Sequence, residues 1–356
     1  MTLNTWNVPN VGIDGLNSYL DILESAWQDH LKPVEVNAPT VISLFAGAGG
    51  SSLGYSMAGF RELLAVEWDN NAVKTFELNF PGIPVYHGDI CNLTVEQCLK
   101  IAGIKEGELD VLDGSPPCQG FSTAGKRVMN DPRNQLFREY IRLLRGLKPK
   151  VFVMENVSGM IKGKMKLIFA DIMRELKASG YKVSARLLNS MYFNVPQSRQ
   201  RMFFVGVRED LSIKPSHPKP QYRAISISDA LGINADEGYL EYRHSYSSGG
   251  IVEFGTSDFS KPSLTLTKAS NFSVKRFGDK IANINKPVGT ITNLSRWFMD
   301  DKNEFSLNAY KRLASYPDPF IFTDFANGKK RIGNSVPPLF MRSIAKHIRE
   351  NILDNI

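Results

Sequence analysis

The sequence predicts an α/β fold: a doubly wound, mostly parallel sheet joined to a smaller loop-rich domain. Three observations predict it. Between Thr40 and about Arg208, short apolar runs alternate with helical stretches, the pattern of a sheet covered by helices on both faces. From about Leu211 to Leu307, proline, serine, glycine and threonine rise, apolar periods shorten and long helices disappear. The chain has 356 residues, 42% of them hydrophobic, enough for one large core and a smaller companion.

The elements follow in order. Residues 1–38 form an N-terminal extension in which Leu16, Leu20, Ile22, Leu23, Trp27 and Leu31 recur at helical spacing. Pro33 and Pro39 end that helix, which is expected to pack on the surface. Strands are expected at "TVISLF", "ELLAVEW", "IPVYHG", "ELDVLDG", "PKVFVMEN", "VSARLLN" and "RMFFVGVR". Helical patterns lie between most of them, such as "NQLFREYIRLLRGLK" and "MKLIFADIMRELKASG". The last two strands are joined through "SMYFNVPQSRQ" without a clear helix, which suits an antiparallel pair at one edge. The late stretch "SVPPLFMRSIAKHIRENIL" reads as an amphipathic helix whose Leu339, Ile344 and Ile348 dock back on the first domain. The division is therefore 1–38, an extension; 39–210, the main domain; 211–307, the loop-rich domain; and 308–356, a return to the main domain.

Composition narrows the function classes. No apolar run approaches the roughly 20 residues of a membrane span, and the N-terminus lacks a basic start followed by an apolar block. Three cysteines, Cys91, Cys98 and Cys118, make no disulfide framework and point to a reducing, cytoplasmic setting. The five histidines are scattered, so no metal is expected. A net charge of +7 and a pI near 9.1 suit a polyanionic partner such as nucleic acid.

In open α/β sheets, ligands bind beyond the carboxyl ends of the strands. After the first strand comes "FAGAGGSSLGYSMAGF", whose Gly47, Gly49 and Gly50 allow a tight turn and close backbone approach. A plain strand-to-helix turn explains such a loop nearly as well. The second strand ends in Glu67, Trp68 and Asp69, where a carboxylate can accept from ribose hydroxyls and an indole can face a purine. The third ends in "HGDI", placing Asp89 within reach of an exocyclic amine. Together the three favour an adenosine-containing cofactor. The fourth strand runs into Ser115, Pro116, Pro117 and Cys118, a stiff loop able to hold a thiol at a defined attack distance. The fifth delivers Glu155 and Asn156, a carboxyl suited to proton donation or a plain turn cap. Before the last strand, Gln197, Arg199 and Arg201 offer two arginines spaced to point to one side. They would anchor a base oxygen or phosphates, or form a solvated edge.

These motifs, "LFAGAGGSSLG", "EWD", "GDI", "GSPPCQGFS", "MENVSGM", "QSRQRMFFVG" and "RIGNSVPP", resemble in content and order those of the DNA (cytosine-5)-methyltransferases. The resemblance covers about Val41–Arg208 and Arg331–Pro338, and "AYKRLASYPDPF" is a weaker match before the last motif. It implies a Rossmann-like fold using S-adenosylmethionine, with Phe45, Gly47 and Gly50 lining the cofactor. Glu67 would meet its ribose, Trp68, Asp89 and Ile90 its adenine, and Pro117, Leu136 and Asn334 its methionine part. Cys118 would be the nucleophile, Glu155 the group on the base's N3 and amino edge, and Arg201 a contact to its carbonyl oxygen. Arg199 matches the first arginine of that block. The loop Gln119–Arg133 would close over double-stranded DNA, with Gln119, Ser122, Lys126 and Arg127 as contacts. Residues 211–307 would be the target-recognition domain. A monomer is implied, with a cognate restriction endonuclease acting separately and no metal. The alternatives are a tRNA cytosine-5 methyltransferase of the same family, a catalytically inactive regulatory homologue and, from fold pattern alone, a dinucleotide dehydrogenase.

Overall fold

The computed structural model describes residues 18–117, 135–161, 165–220, 224–232, 279–281, 286–292, 296–298 and 305–356. Its centre is a seven-stranded sheet built from β1 (Thr40–Leu44), β2 (Arg61–Glu67), β3 (Val85–His87), β4 (Val111–Gly114), β5 (Val151–Val157), β6 (Tyr181–Asn189) and β8 (Gln200–Arg208). The spatial order is β3-β2-β1-β4-β5-β8-β6. The first five of these run parallel, whereas β8 is antiparallel to both β5 and β6. All seven strands expected from the sequence are present, and the last two form the expected antiparallel pair at an edge. All five β1 residues are buried, as are the first six of β5, because helices cover both faces; this is why these strands read as apolar runs.

Two apolar cores lie on opposite faces. One contains Ile42, Leu44, Leu112 and Phe152 and receives α4 (Val95–Ala102), α5 (Gln135–Leu147) and α6 (Met165–Ala178). The other contains Val41, Ala65, Val111 and Val153 and receives α2 (Gly50–Met57) and α10 (Pro338–Asn351). Leu339, Ile344 and Ile348 of α10 are buried there, so the C-terminal helix docks back as its pattern foretold. The N-terminal helix α1 (Tyr19–Leu31) does more than rest on the surface. Tyr19, Ile22, Leu23 and Ala26 enter the same core, the Tyr19 hydroxyl donates to the Arg312 carbonyl at 2.7 Å, and Asp29 pairs with Arg342. Leu16 lies outside the described residues. No helix among those described is long and apolar enough to cross a membrane.

Within 211–307, several of the described residues pack against the main body. Ile225 and the α7 helix (Ile227–Leu231) share its core with Val288, Ile291 and Phe305. Two short parallel pairs are the other strands among the described residues: β10 (Val288–Gly289) with β7 (Gln197–Ser198), and β11 (Arg296–Phe298) with β9 (Asp279–Ile281).

The approach of α10 to α2 depends on missing side chains. A Cβ on Gly54 would lie 2.6 Å from Met341 Cβ and 2.7 Å from the Pro338 carbonyl oxygen. A Gly54→Val substitution must therefore push α10 off α2, at a cost of about 1–3 kcal/mol for overpacking. Thermal unfolding should show a clearly lowered Tm, and an unchanged Tm would refute this packing.

Candidate active site

The first rim of the site is built where β1 and β2 end. Phe45 adopts φ 59°, a left-handed conformation that a non-glycine residue holds only under tertiary constraint. Gly47 follows at φ 59°, and nothing lies within 4 Å of where its Cβ would be. The backbone is therefore open to close approach at this point. Gly47 N–H donates to Glu67 Oε2 at 2.8 Å, while Glu67 Oε1 accepts from the N–H groups of Trp68 and Asp69 at 2.9 and 2.8 Å. This buried carboxylate thus accepts three amides and keeps lone-pair capacity for one more donor. Trp68, beside it, is 77% exposed and presents a bare aromatic face. On the neighbouring strand end, Asp89 is exposed and caps the turn at Ile90–Asn92 through Cys91 N–H at 2.9 Å, a bond that holds its carboxyl below the ordinary range. Ile90, the next residue, is buried.

The glycines of this loop divide between two tasks. Gly50 does not share the openness of Gly47: its Cβ would lie 2.6 Å from both the Tyr316 hydroxyl and the Val336 carbonyl oxygen. Its role in the structure is to let the segment before α10 approach α2.

The second rim follows from strand register. Gly114 of β4 is opposite Met154 of β5, so the next residue, Glu155, comes beside Ser115 and the proline loop. Asn156 Nδ2 donates to the Pro116 carbonyl at 3.1 Å, fastening that loop to β5. Pro116 is buried and Pro117 exposed. Cys118, Gln119, Ser122, Lys126 and Arg127 lie outside the described residues. Antiparallel pairing sets Val157 opposite Arg201, and Arg201 Nε bonds Glu155 Oε1 at 2.8 Å with both side chains largely buried. Leu136 is half-buried in the first turn of α5. Asn334 is exposed at the end of α9 (Phe325–Asn334), which follows α8 (Leu307–Leu313).

Arg199 departs from the expected arrangement. It falls between β7 and β8, where the extended alternation breaks, so it does not share partners with Arg201. It is 2% exposed, and its Nη1 donates to the carbonyls of Ile291 and Gly333 at 2.9 and 3.1 Å. Burial, reinforced by the Arg201 charge, lowers its pKa well below the ordinary guanidinium value.

Further polar residues take part: Asp69 and Arg331 stand within the quoted motifs without a role assigned there, and Glu62 and Asp113 show in sequence only as charges within strand runs. Arg331, 7% exposed, bonds Asp69 Oδ1 at 2.7 Å and joins α9 to the end of β2. Burial pushes the Asp69 carboxyl up, but the Arg331 hydrogen bond and charge, with the α3 (Asn70–Asn79) cap amides, hold it below the ordinary range. Under α2, Ser52 Oγ donates to Glu62 Oε1 at 2.9 Å, while Glu62 Oε2 is buried without a partner. Burial pushes the Glu62 carboxyl up to about 7, with hydrogen bonds from Ser43 and Ser52 pulling partly back. Asp113, buried opposite Ser43, is raised well above the carboxylate range by burial and by Glu62, and Tyr55 donates to it at 3.4 Å.

The chain is similar to known proteins over most of its length. The family model described as "C-5 cytosine-specific DNA methylase" matches residues 39–350. The Type II methyltransferase M1.HphI of Haemophilus parahaemolyticus is 34% identical over 328 residues, covering 87% of this chain and 86% of the relative. The Type II methyltransferase M.FnuDI of Fusobacterium nucleatum is 33% identical, covering 88% and 95%. Among solved structures, a prophage-encoded E. coli protein assigned as a DNA modification methyltransferase superposes with a TM-score of 0.68 at 24% identity. It covers 89% of this chain and all of that one, a likeness of fold.

The Glu62 environment makes a signed prediction. A carboxyl raised on folding contributes stability that is complete below its unfolded value and lost as pH rises through its folded value, here about 7. The protein should therefore lose Tm between pH 5 and 8, and Glu62→Gln, which cannot ionise, should flatten that slope. Thermal melts across this range check it; identical slopes for the two proteins would overturn it.

Proposed function

The chain belongs to the C-5 cytosine-specific DNA methylase family, and from that premise we propose that it methylates C5 of a flipped-out cytosine in duplex DNA through a transient bond from Cys118 to C6. The observation that carries this reading is the Glu155–Arg201 pair at 2.8 Å, held beside the proline loop that leads into Cys118.

The residues at the first rim suit S-adenosylmethionine. Glu67 has acceptor capacity left for a ribose hydroxyl, Trp68 offers a face for adenine, to which Ile90 would add apolar contact, and Asp89 can accept from the exocyclic amine. Gly47 would admit the ligand against the backbone and Phe45 would line it, while Pro117, Leu136 and Asn334 would meet its methionine part. When bound, the cofactor supplies a methyl group on a positively charged sulfur.

Cytosine C5 is a weak nucleophile, and the protein's task is to make it electron-rich. The Cys118 thiolate adds to C6, and the ring electrons move toward C5 as Glu155 stabilises protonation at N3. Arg201 holds the Glu155 carboxyl in place and reaches the carbonyl oxygen of the base. C5 then takes the methyl group; loss of the C5 proton expels the cysteine and restores the ring. A base stacked in a duplex is out of reach of this rim, which is why it must be everted. Gln119, Ser122, Lys126 and Arg127 would contact the DNA around it, in keeping with the basic balance. A restriction endonuclease reading the same site is the partner that the Type II relatives suggest.

Cys118→Ser should lower methyl transfer to unmethylated duplex DNA on the order of 10⁴-fold while gel-shift binding persists. Near wild-type turnover would overturn the covalent route. A random-sequence duplex containing 5-fluorocytosine should trap a stable adduct, because fluorine cannot leave C5 as a proton. The adduct should require both S-adenosylmethionine and Cys118, and its absence from the wild-type protein would count against the mechanism.

A further inference from the structure

Arg199 is buried at the meeting point of three segments far apart in sequence. Its own backbone is pinned, since its carbonyl accepts from Ser190 N–H at 3.0 Å. Residues 286–292 hang on the stretch that precedes it. Val288 N–H donates to the Pro196 carbonyl at 3.0 Å, Thr290 Oγ1 to the Ser198 carbonyl at 2.9 Å, and Ile291 N–H to Gln197 Oε1 at 3.2 Å. The Arg199 guanidinium then closes the bridge, with one nitrogen reaching both Ile291 and Gly333.

The Gly333 carbonyl belongs to the last turn of α9, where carbonyls lack helical partners and a cation is favoured. Arg199 thus caps α9 at the residue before Asn334, just where the chain turns toward Gly50 and the cofactor rim. A direct contact from this nitrogen to base or phosphate would strip both carbonyls of their donor. Its Nε is also buried without a hydrogen-bond partner, so the arrangement is held by its surroundings and not by full satisfaction of the guanidinium. An apolar side chain of similar length would fill the space without desolvating a charge. What an arginine supplies here is the two-carbonyl bridge.

We infer that Arg199 is a positioning residue that couples the recognition region, through residues 286–292, to the cofactor site at the end of α9. Engagement of DNA by that region fixes Ile291, and Arg199 passes the constraint to Gly333 and Asn334, tightening cofactor binding. By reciprocity, bound cofactor tightens DNA binding by the same factor. The inference rests on the cofactor and recognition assignments made under Proposed function.

The test titrates S-adenosylhomocysteine into the full-length protein by calorimetry, with and without unmethylated mixed-sequence duplex DNA. The readout is the ratio of the two dissociation constants. For the wild type, DNA should tighten binding roughly fivefold or more, the lower end of ordinary coupling. Arg199→Met should bring the ratio below about twofold while changing DNA-free affinity less than about threefold, and Arg199→Lys should restore part of it. Loss of a merely structural residue would weaken DNA-free binding and leave the ratio intact. Thr290→Val, which removes only the Thr290–Ser198 bond, should lower the ratio in the same direction; it decides the matter alone if Arg199→Met does not fold. A wild-type ratio near one, or ratios unchanged in the variants, overturns the coupling. If the wild type transfers methyl groups yet shows no coupling, only this inference fails. If it neither transfers methyl groups nor binds the cofactor analogue, the functional reading fails with it.

Discussion

Everything at the site depends on β5 having a parallel neighbour on one side and an antiparallel one on the other. The parallel pairing with β4 brings two carboxyl ends together, so the proline loop after Gly114 and the carboxyl of Glu155 share a rim. The antiparallel pairing with β8 brings that strand's beginning to the same rim, and with it Arg201. Had β8 run parallel to β5, its first residues would lie at the other end of the strands, away from this rim. The Glu155–Arg201 bond exists because one strand direction is reversed.

Around that junction the protein buries more polarity than an apolar core would need. Asp113 and Glu62 lie under α2, Arg331 is set against Asp69, and Arg199 bridges two carbonyls. Each is costly to desolvate and persists because specific donors or acceptors meet it. Their common effect is positional. Asp69 and Arg331 tie α9 to the end of β2, while Asn156 ties β5 to the loop after β4. Such directional bonds help hold a loop at a fixed distance from a strand end, because the hydrophobic effect alone is non-directional.

The first and last parts of the chain form one wall. Gly50 and Gly54 allow Val336 and Met341, nearly 300 residues later, to lie against α2, and α1 adds its own apolar face to the same core. Glycine reads in sequence as a loop or a ligand contact. Of these three, Gly47 has open surroundings, while a side chain at Gly50 or Gly54 would meet the C-terminal segment. The local motif is the same in either case, and the distinction lies in what arrives from elsewhere in the chain.

The sequence by itself determined the strands, the helices between them, the antiparallel character of the last pair and the loops in which the chemistry gathers. Period-two and helical patterns are local, and proline and glycine restrict the backbone where they stand. Tertiary structure alone decided that β8 lies between β5 and β6, that Arg201 meets Glu155, and that Arg199 turns instead to Ile291 and Gly333. It also decided the pairing of Arg331 with Asp69 and the elevated carboxyls of Glu62 and Asp113. These are long-range facts of register, direction and burial, and a residue's neighbours in sequence carry no information about which distant strand will lie beside it.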